Sequence, residues 1–330
     1  MGNNEAGILK KAKAFVRRIK SDLDTNKQMS LYKGRFLAYS FVDLHCETVE
    51  QFEASITRLY HTVDKGLAHS DAEYRAGFGA RNVSALVASM EQYAISGYDV
   101  SAFFYETALS CLQSYVERNR EHGLEDEALE RRIAALPGTQ NGLGGTIVVS
   151  APLNPESMTH EQLVLSRHSL REFSGEPVGL DELRKAIELA QHTPSACNRQ
   201  GWRTIIVADR DKMAKVLSNQ NGNRGFGESI DKLLVITADL CAQQRGRELF
   251  QAFVDGGMYA ESILCALHSQ GVASVPLSAS LTPKQEDAVR TTLGLCDSEV
   301  LVLFVGVGTY PNHEVLTTRS ERRPADITII

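Results

Sequence analysis

The first 136 residues of this 330-residue chain contain no proline, and that absence constrains the fold more than any other feature. Proline removes a backbone donor and clashes with the preceding turn, so a long run without it leaves helix permitted throughout. Apolar residues in the run recur at spacings of three and four. Val49, Phe52, Ile56, Leu59 and Val63 make one stripe, and Phe103, Leu109, Leu112 and Val116 make another. Helices are therefore expected from about Glu5 to Ala135. The first proline, Pro137, opens the glycine-rich stretch Leu136-Pro137-Gly138-Thr139-Gln140-Asn141-Gly142-Leu143-Gly144-Gly145, which reads as a connection. The expected organisation is a helical region over 1–136, a linker over 137–158 and a second domain over 159–330. Within the linker, Thr146-Ile147-Val148-Val149-Ser150 is β-branched enough for a short strand or an extended arm.

Beyond the linker, helix and strand signals alternate. Thr159 with Gln162 has the spacing of a capping box, starting a helix that reaches about Arg167. Helices are expected over 180–191, 212–217, 245–270 and 283–293, and strands over 204–208, 232–237, 273–277 and 300–307. The long 245–270 helix contains Gly256-Gly257, where a backbone or a ring can approach closely. Gly222, Gly225 and Gly227 do not have dinucleotide-fingerprint spacing, and no phosphate-loop lysine follows a glycine run.

Charge narrows the function classes. With 35 Lys and Arg against 41 Asp and Glu, the net charge of −6 argues against a nucleic-acid surface. One segment departs from this balance: Lys10, Lys11, Lys13, Arg17, Arg18 and Lys20 are interleaved with Ile8, Leu9, Phe15, Val16 and Ile19. That pattern fits a solvated helix face, or docking on a membrane surface or a partner. No apolar run is long enough for a membrane span, and a cytoplasmic protein is expected. Six scattered cysteines without a C-x-x-C pair indicate neither a disulfide framework nor a zinc ribbon. Cys197 alone falls inside a polar turn, where it could line a cavity.

Three segments carry chemistry. Arg167, Ser169 and Arg171 would point to one side of an extended strip, offering charge-assisted donors to a phosphate, though the same residues also suit a solvated surface strip. Pro194-Ser195-Ala196-Cys197-Asn198-Arg199-Gln200 sets two amides two residues apart in a proline turn, ready to meet the donor and acceptor edge of a planar ring. An ordinary Asx-type turn is the plainer reading, and Trp202 fits a core position. Arg319, Arg322 and Arg323 near the C-terminus make either a solvated tail or a second phosphate clamp.

Together, in this order, these segments resemble the nitroreductase superfamily of FMN-dependent oxidoreductases. The matching residues are Arg167, Ser169, Arg171 and Phe173; Pro194, Ser195, Asn198, Gln200 and Trp202; the helix over Gly256 to Gly271; Pro276-Leu277-Ser278-Ala279; and Arg322 with Arg323. The resemblance implies an α+β fold, a mixed sheet flanked by helices, here preceded by an all-α region. It implies a homodimer joined through long helices with an exchanged C-terminal arm, for which Asp326-Ile327-Thr328-Ile329-Ile330 is a candidate. Arg167, His168, Ser169 and Arg322 would hold the FMN phosphate, with Arg323 beside them. Arg171 would sit near the N1 and O2 edge. Pro194, Ser195, Ala196, Asn198 and Gln200 would meet the ring, Ser195 and Ala196 across a dimer interface. Pro276, Leu277 and Ser278 would address N5, and Asn223 could add an amide. No side chain is expected to act as a dedicated acid or base. NADH or NADPH would supply hydride for a nitro, quinone or enone acceptor, a small molecule.

Two departures from the family pattern stand out: serine and alanine follow Pro276-Leu277, and Ser320 occupies the place of a common lysine. His61-Thr62-Val63-Asp64-Lys65-Gly66-Leu67 with Gly77-Phe78-Gly79 is similar to the helical extension of a longer subgroup associated with polysaccharide gene clusters. His61, Asp64 and Lys65 share a helical face, as a polar site or a salt-bridged surface. Other readings are a flavin enzyme acting on a specific biosynthetic intermediate, and a non-catalytic flavin-binding interaction protein.

Overall fold

A computed structural model describes the backbone of residues 2–42 and 45–330, with side chains from Ile8 onward in that range. The chain divides into two compact units, Met1–Ala38 with Ala151–Asn312 and Tyr39–Ser150 with His313–Ile330. These differ from the sequence boundaries: helix α1 (Gly2–Tyr39) groups with the later domain, and the last residues group with the helical region.

The second unit contains α2 (Val49–Leu67), α3 (Ala80–Ile95), α4 (Phe103–Glu121) and α5 (Glu127–Ala134). Thr48 starts α2 by accepting the Gln51 amide on its side chain. The stripe Phe52, Ile56, Leu59 and Val63 is buried against Leu86, Met90 and Leu112 in one core. Each such side chain is worth ~1.5–3 kcal/mol when taken from water. Tyr93 meets Phe52 and Phe104 edge-on, with ring centres 5.6 and 5.3 Å apart.

The glycine-rich segment expected as a linker is instead fastened to this core. Asn141 Nδ2 donates to Thr107 Oγ1 at 2.9 Å, the Gly142 amide donates to Ser110 Oγ at 2.9 Å, and the Gly145 amide donates to Asp64 Oδ1 at 2.9 Å. A Cβ on Gly144 would lie 2.3 Å from Cys111 N and 2.4 Å from Thr107 O, both backbone atoms of α4. Only glycine fits there. The chain then forms β1 (Thr146–Val149), antiparallel to β6 (Val315–Thr318), and that pairing explains why the C-terminal residues join this unit. Asp326–Ile330 is exposed coil.

The first unit contains α6 (His160–Ser166), α7 (Leu180–Ala190), α8 (Arg210–Leu217), α9 (Gln251–Ser269) and α10 (Pro283–Leu293). Capping boxes open α6 at Thr159 and Gln162 and α10 at Thr282 and Gln285. Strands β2 (Trp202–Val207), β3 (Lys232–Asp239), β4 (Val272–Ser278) and β5 (Glu299–Thr309) form an antiparallel sheet of order β2-β3-β5-β4. Leu234, Ile236, Val305 and Val307 face α7 and α9, where they pack with Leu183, Tyr259, Ile263 and Leu267. Alternation along the strands turns Leu233, Val235 and Phe304 to the opposite side. The fold is α+β, as expected.

Helix α9 starts at Gln251 rather than near Arg245. Gly246 takes φ +92°, outside the helical region, and its carbonyl accepts Gln28 Nε2 of α1 at 2.7 Å. Arg245 pairs with Asp22 at 2.8 Å, and Tyr32 packs on Phe250. These contacts tie the later half of α1 to its unit. On α9, a Cβ at Gly256 would come within 2.7 Å of Val302 Cγ2, the close approach foreseen there, whereas Gly257 has open space.

Candidate functional site

The strip after α6 leaves the helix at Arg167, whose backbone is already extended (φ −73°, ψ 120°). The Leu170 amide donates to Ser274 O at 3.0 Å on the outer edge of β4, and the Ser174 amide donates to Thr309 O at 3.0 Å at the end of β5, so the strip runs from the one to the other. Leu170 and Phe173 point into the core, while Arg167, His168, Ser169 and Arg171 are half-buried. Arg171 Nη1 lies 3.4 Å from Ser169 O. The decisive feature is Arg167: its Nη1 is buried and has no hydrogen-bond partner among the described residues. A buried guanidinium donor without an acceptor is costly, so this atom suits an anionic oxygen.

The residues beneath Arg167 were not foreseen. His268, at the C-terminal end of α9, has Nε2 2.8 Å from Ser166 Oγ and Nδ1 3.0 Å from the Tyr310 hydroxyl. Ser166 directs its single proton to Gln162 O at 2.7 Å, so His268 Nε2 donates to Ser166 and Nδ1 accepts from Tyr310. A neutral imidazole protonated on Nε2 satisfies this chain. Burial first, then the charges of Arg167 and His168, lower the His268 pKa to about 4. Burial likewise raises Tyr310 to about 12 and, with help from Glu261, Cys265 to about 11. An arginine is thus backed by groups that stay uncharged. No sequence signal marks this, because His268 and Tyr310 lie far from Ser166 along the chain.

At the other end of α9 lies the turn. Cys197, Asn198 and Gln200 all take positive φ, at 52°, 54° and 50°. Left-handed backbone costs L-residues roughly 1–2 kcal/mol apiece, so the turn must be held from outside. Asp255, only 4% exposed, accepts the Ala196 amide at 3.2 and 3.3 Å and Gln251 Nε2 at 2.8 Å. Arg199 bonds its own turn at Ala196 O, 3.0 Å, and pairs with Glu248 at 2.7 Å. The Gln200 amide donates to Ser195 Oγ at 2.9 Å, and Gln200 Nε2 to Asn198 Oδ1 at 3.0 Å. Pro194, Asn198 and Gln200 are exposed, Ser195 and Ala196 half-buried, and Cys197 is exposed. Trp202 is core: it stacks on Tyr259 with centres 4.7 Å apart and planes at 9°, and donates to Gln191 at 2.8 Å.

Asp255 and His268 are thirteen residues apart on one helix, roughly 20 Å at 1.5 Å per residue. A single chain therefore brings the arginine strip to the β4 edge but leaves the amide turn at the far end of α9. Pro276, Leu277 and Ser278 continue β4 beyond Ser274; Leu277 is buried and Ser278 exposed. Buried Gln220 donates to Ser278 O at 3.0 Å and accepts the Gly222 amide at 2.6 Å, which fixes the 220–227 loop beside this strand end. Asn223 spends its amide inside that loop, donating to Leu217 O at 2.8 Å and Gln220 O at 2.7 Å. It shapes the loop instead of presenting a free donor.

In the helical unit, Arg323 pairs with Glu53 at 3.2 Å and Arg322 folds back onto Ser320 O. Both are exposed, and Arg319 Nε is buried with no hydrogen-bond partner among the described residues. Asp64 is buried, at 1% exposure, and accepts the Gly145 amide. Burial and the neighbouring Asp64 push the Cys111 thiol well up. A groove of about 420 Å³, walled by Leu109, Val116, Ile133 and Leu136, carries the Arg120–Glu130 pair. Among the described residues no His, Cys, Asp and Glu group is arranged for a metal, and no helix is long and apolar enough to cross a membrane.

The family model described as the nitroreductase family matches residues 164–224 and 218–309, spanning the strip, the turn, α9 and β4. That match takes in less than half of the chain, and over this region the chain is similar to the nitroreductase family. An NADH dehydrogenase of Thermus thermophilus is 27% identical over 187 residues, 46% of this chain and 89% of that protein. An FMN reductase [NAD(P)H] of Bacillus subtilis is 26% identical over 133 residues, 36% of this chain and 53% of that protein. Among solved structures, an FMN-dependent nitroreductase from Clostridium difficile R20291 aligns at 18% identity and TM-score 0.41, over 46% of this chain and 87% of that one. The nitroreductase match begins at Val164 in α6, so the chain carries a long segment ahead of the matched region.

Proposed function

We propose that the chain is an FMN-dependent NAD(P)H oxidoreductase that reduces a small nitro, quinone or enone acceptor. The observation that carries this reading is the buried, partnerless Nη1 of Arg167 at the head of a strip matching the nitroreductase pattern. FMN, when bound, supplies two-electron transfer between a nicotinamide donor and the acceptor. Arg167 binds its phosphate, with His168 and Ser169 beside it. Arg171 lies farther along the strip, where a cation stabilises negative charge on the reduced ring. Leu277 and Ser278 offer backbone groups at the end of β4 for the ring's central edge. Gln220 holds that strand end and its neighbouring loop in place.

The turn at 195–200 completes the site from a second copy. Two observations support this. The turn is separated from the arginine strip of its own chain by the length of α9, and α9 leaves Phe253, Val254 and Met258 exposed beside the turn. An apolar face of this kind is what a subunit interface covers. Asp255 sits behind that face and fixes the turn's shape, so Asn198 and Gln200 meet a ring edge already oriented.

The test is an anaerobic titration of the flavin-loaded protein with NADH and with NADPH, followed by absorbance. Bleaching of the flavin bands by either donor supports the reading. A protein that takes up no FMN sinks it, and one that binds FMN but is not reduced by either donor removes the oxidoreductase part.

A further inference from the structure

We propose that residues 8–23 of α1 form an interfacial helix that docks the protein on an anionic lipid surface. At 3.6 residues per turn, Ile8, Leu9, Phe15, Val16, Ile19 and Leu23 fall on one stripe. Lys11 and Arg18 flank it on one side, Lys13 and Lys20 on the other, and Lys10 and Arg17 lie opposite. No acidic residue occurs between Ile8 and Ser21, in a chain whose net charge is −6. Every residue from Ile8 to Lys20 is exposed, on both faces of the helix. Exposure of the stripe runs from 43% for Ile19 to 64% for Phe15.

The contacts that fasten α1 begin directly after Lys20, at Ser21 and Asp22, and continue at Gln28. The basic portion is therefore held in helical form by continuity with an anchored helix, and none of the described residues covers its apolar side. Its charge decides the occupant. Pairing with a second α1 would bring two uninterrupted rows of lysine and arginine together, which like-charge repulsion opposes. A lipid surface satisfies both faces at once: the stripe enters the acyl boundary, and the flanking stems let their cations reach anionic headgroups.

The experiment uses the full chain with Phe15→Trp, whose emission is distinguished by subtraction from the buried native Trp202. Vesicles of phosphatidylcholine with phosphatidylglycerol should shift the added tryptophan to the blue and carry the protein down on centrifugation. Vesicles of phosphatidylcholine alone should do neither. Replacing Lys10, Lys11, Arg17 and Arg18 by Gln should weaken binding by ~5-fold per charge, and salt should weaken it similarly. Flavin uptake should be unchanged in both variants, which separates this inference from the reading of the FMN site. No binding to the mixed vesicles, or equal binding by the Gln variant, would overturn it. So would an emission shift that follows protein concentration without lipid, because the occupant would then be a second copy.

Discussion

Lowering the pH from 7 to 5 should destabilise the sheet-bearing unit through His268 in particular. Its pKa falls from an ordinary 6.5 in the unfolded chain to about 4 in the fold. The folded pKa is depressed and the group is a base, so the unfolded chain takes up the proton first. Stability contributed by the neutral imidazole is intact above 6.5, is lost as pH falls from there, and levels off below about 4. The full shift corresponds to at most ~3 kcal/mol, and ~2 kcal/mol of it is lost by pH 5. Allowing for solvent screening, we expect about 1 kcal/mol between pH 7 and 5. Trp202 is the only tryptophan and lies in the same unit, stacked on Tyr259, so its fluorescence during urea unfolding reports this unit. His268→Gln removes the titration while keeping a polar partner for Ser166. The native protein should lose stability over this interval faster than the variant by that amount. Parallel curves would refute the assignment of His268 as a buried neutral link.

Two glycines give opposite expectations. Gly144→Ala places a methyl 2.3 Å from a backbone nitrogen of α4, and should cost ~3 kcal/mol or more, read as a lowered melting temperature by circular dichroism. Gly257→Ala, in open space within a single chain, should stabilise the separated subunit by about 0.5–1 kcal/mol in the Trp202 unfolding curve; because Gly257 lies between Phe253 and Val254 around the helix, on the face proposed to meet a second copy, a loss confined to the assembled protein would support that contact. Asp255→Ala releases the Ala196 amide and the left-handed turn behind it. It should weaken FMN binding about tenfold with little change in NADH reduction once the site is saturated, and unaltered affinity would show that the turn holds itself.

Much of the fold was legible because it rests on local signals. The proline-free run marked a helical region and its two stripes marked α2 and α4, the Thr159 cap marked α6, and the apolar runs marked the sheet strands within a few residues. What escaped depends on contacts remote in sequence. The start of α9 was set by Gly246 and Gln28 rather than by periodicity. The glycine-rich segment looked like a linker because glycine marks loose turns, yet here its missing side chains let backbone lie on backbone. At the site, the motifs named Arg167 and the turn, but not Asp255, Gln220 or His268, which position them. Those three are ordinary polar residues whose burial only the folded chain reveals.

One comparison tests Arg167 as the phosphate ligand: the affinities of FMN and of riboflavin, which lacks the phosphate, for the native protein and for Arg167→Ala. A charge-assisted bond worth ~1.5–3 kcal/mol predicts that the native preference for FMN falls by roughly 10- to 100-fold in the variant. Riboflavin affinity should stay nearly constant. A variant that keeps the full preference for FMN would contradict the assignment.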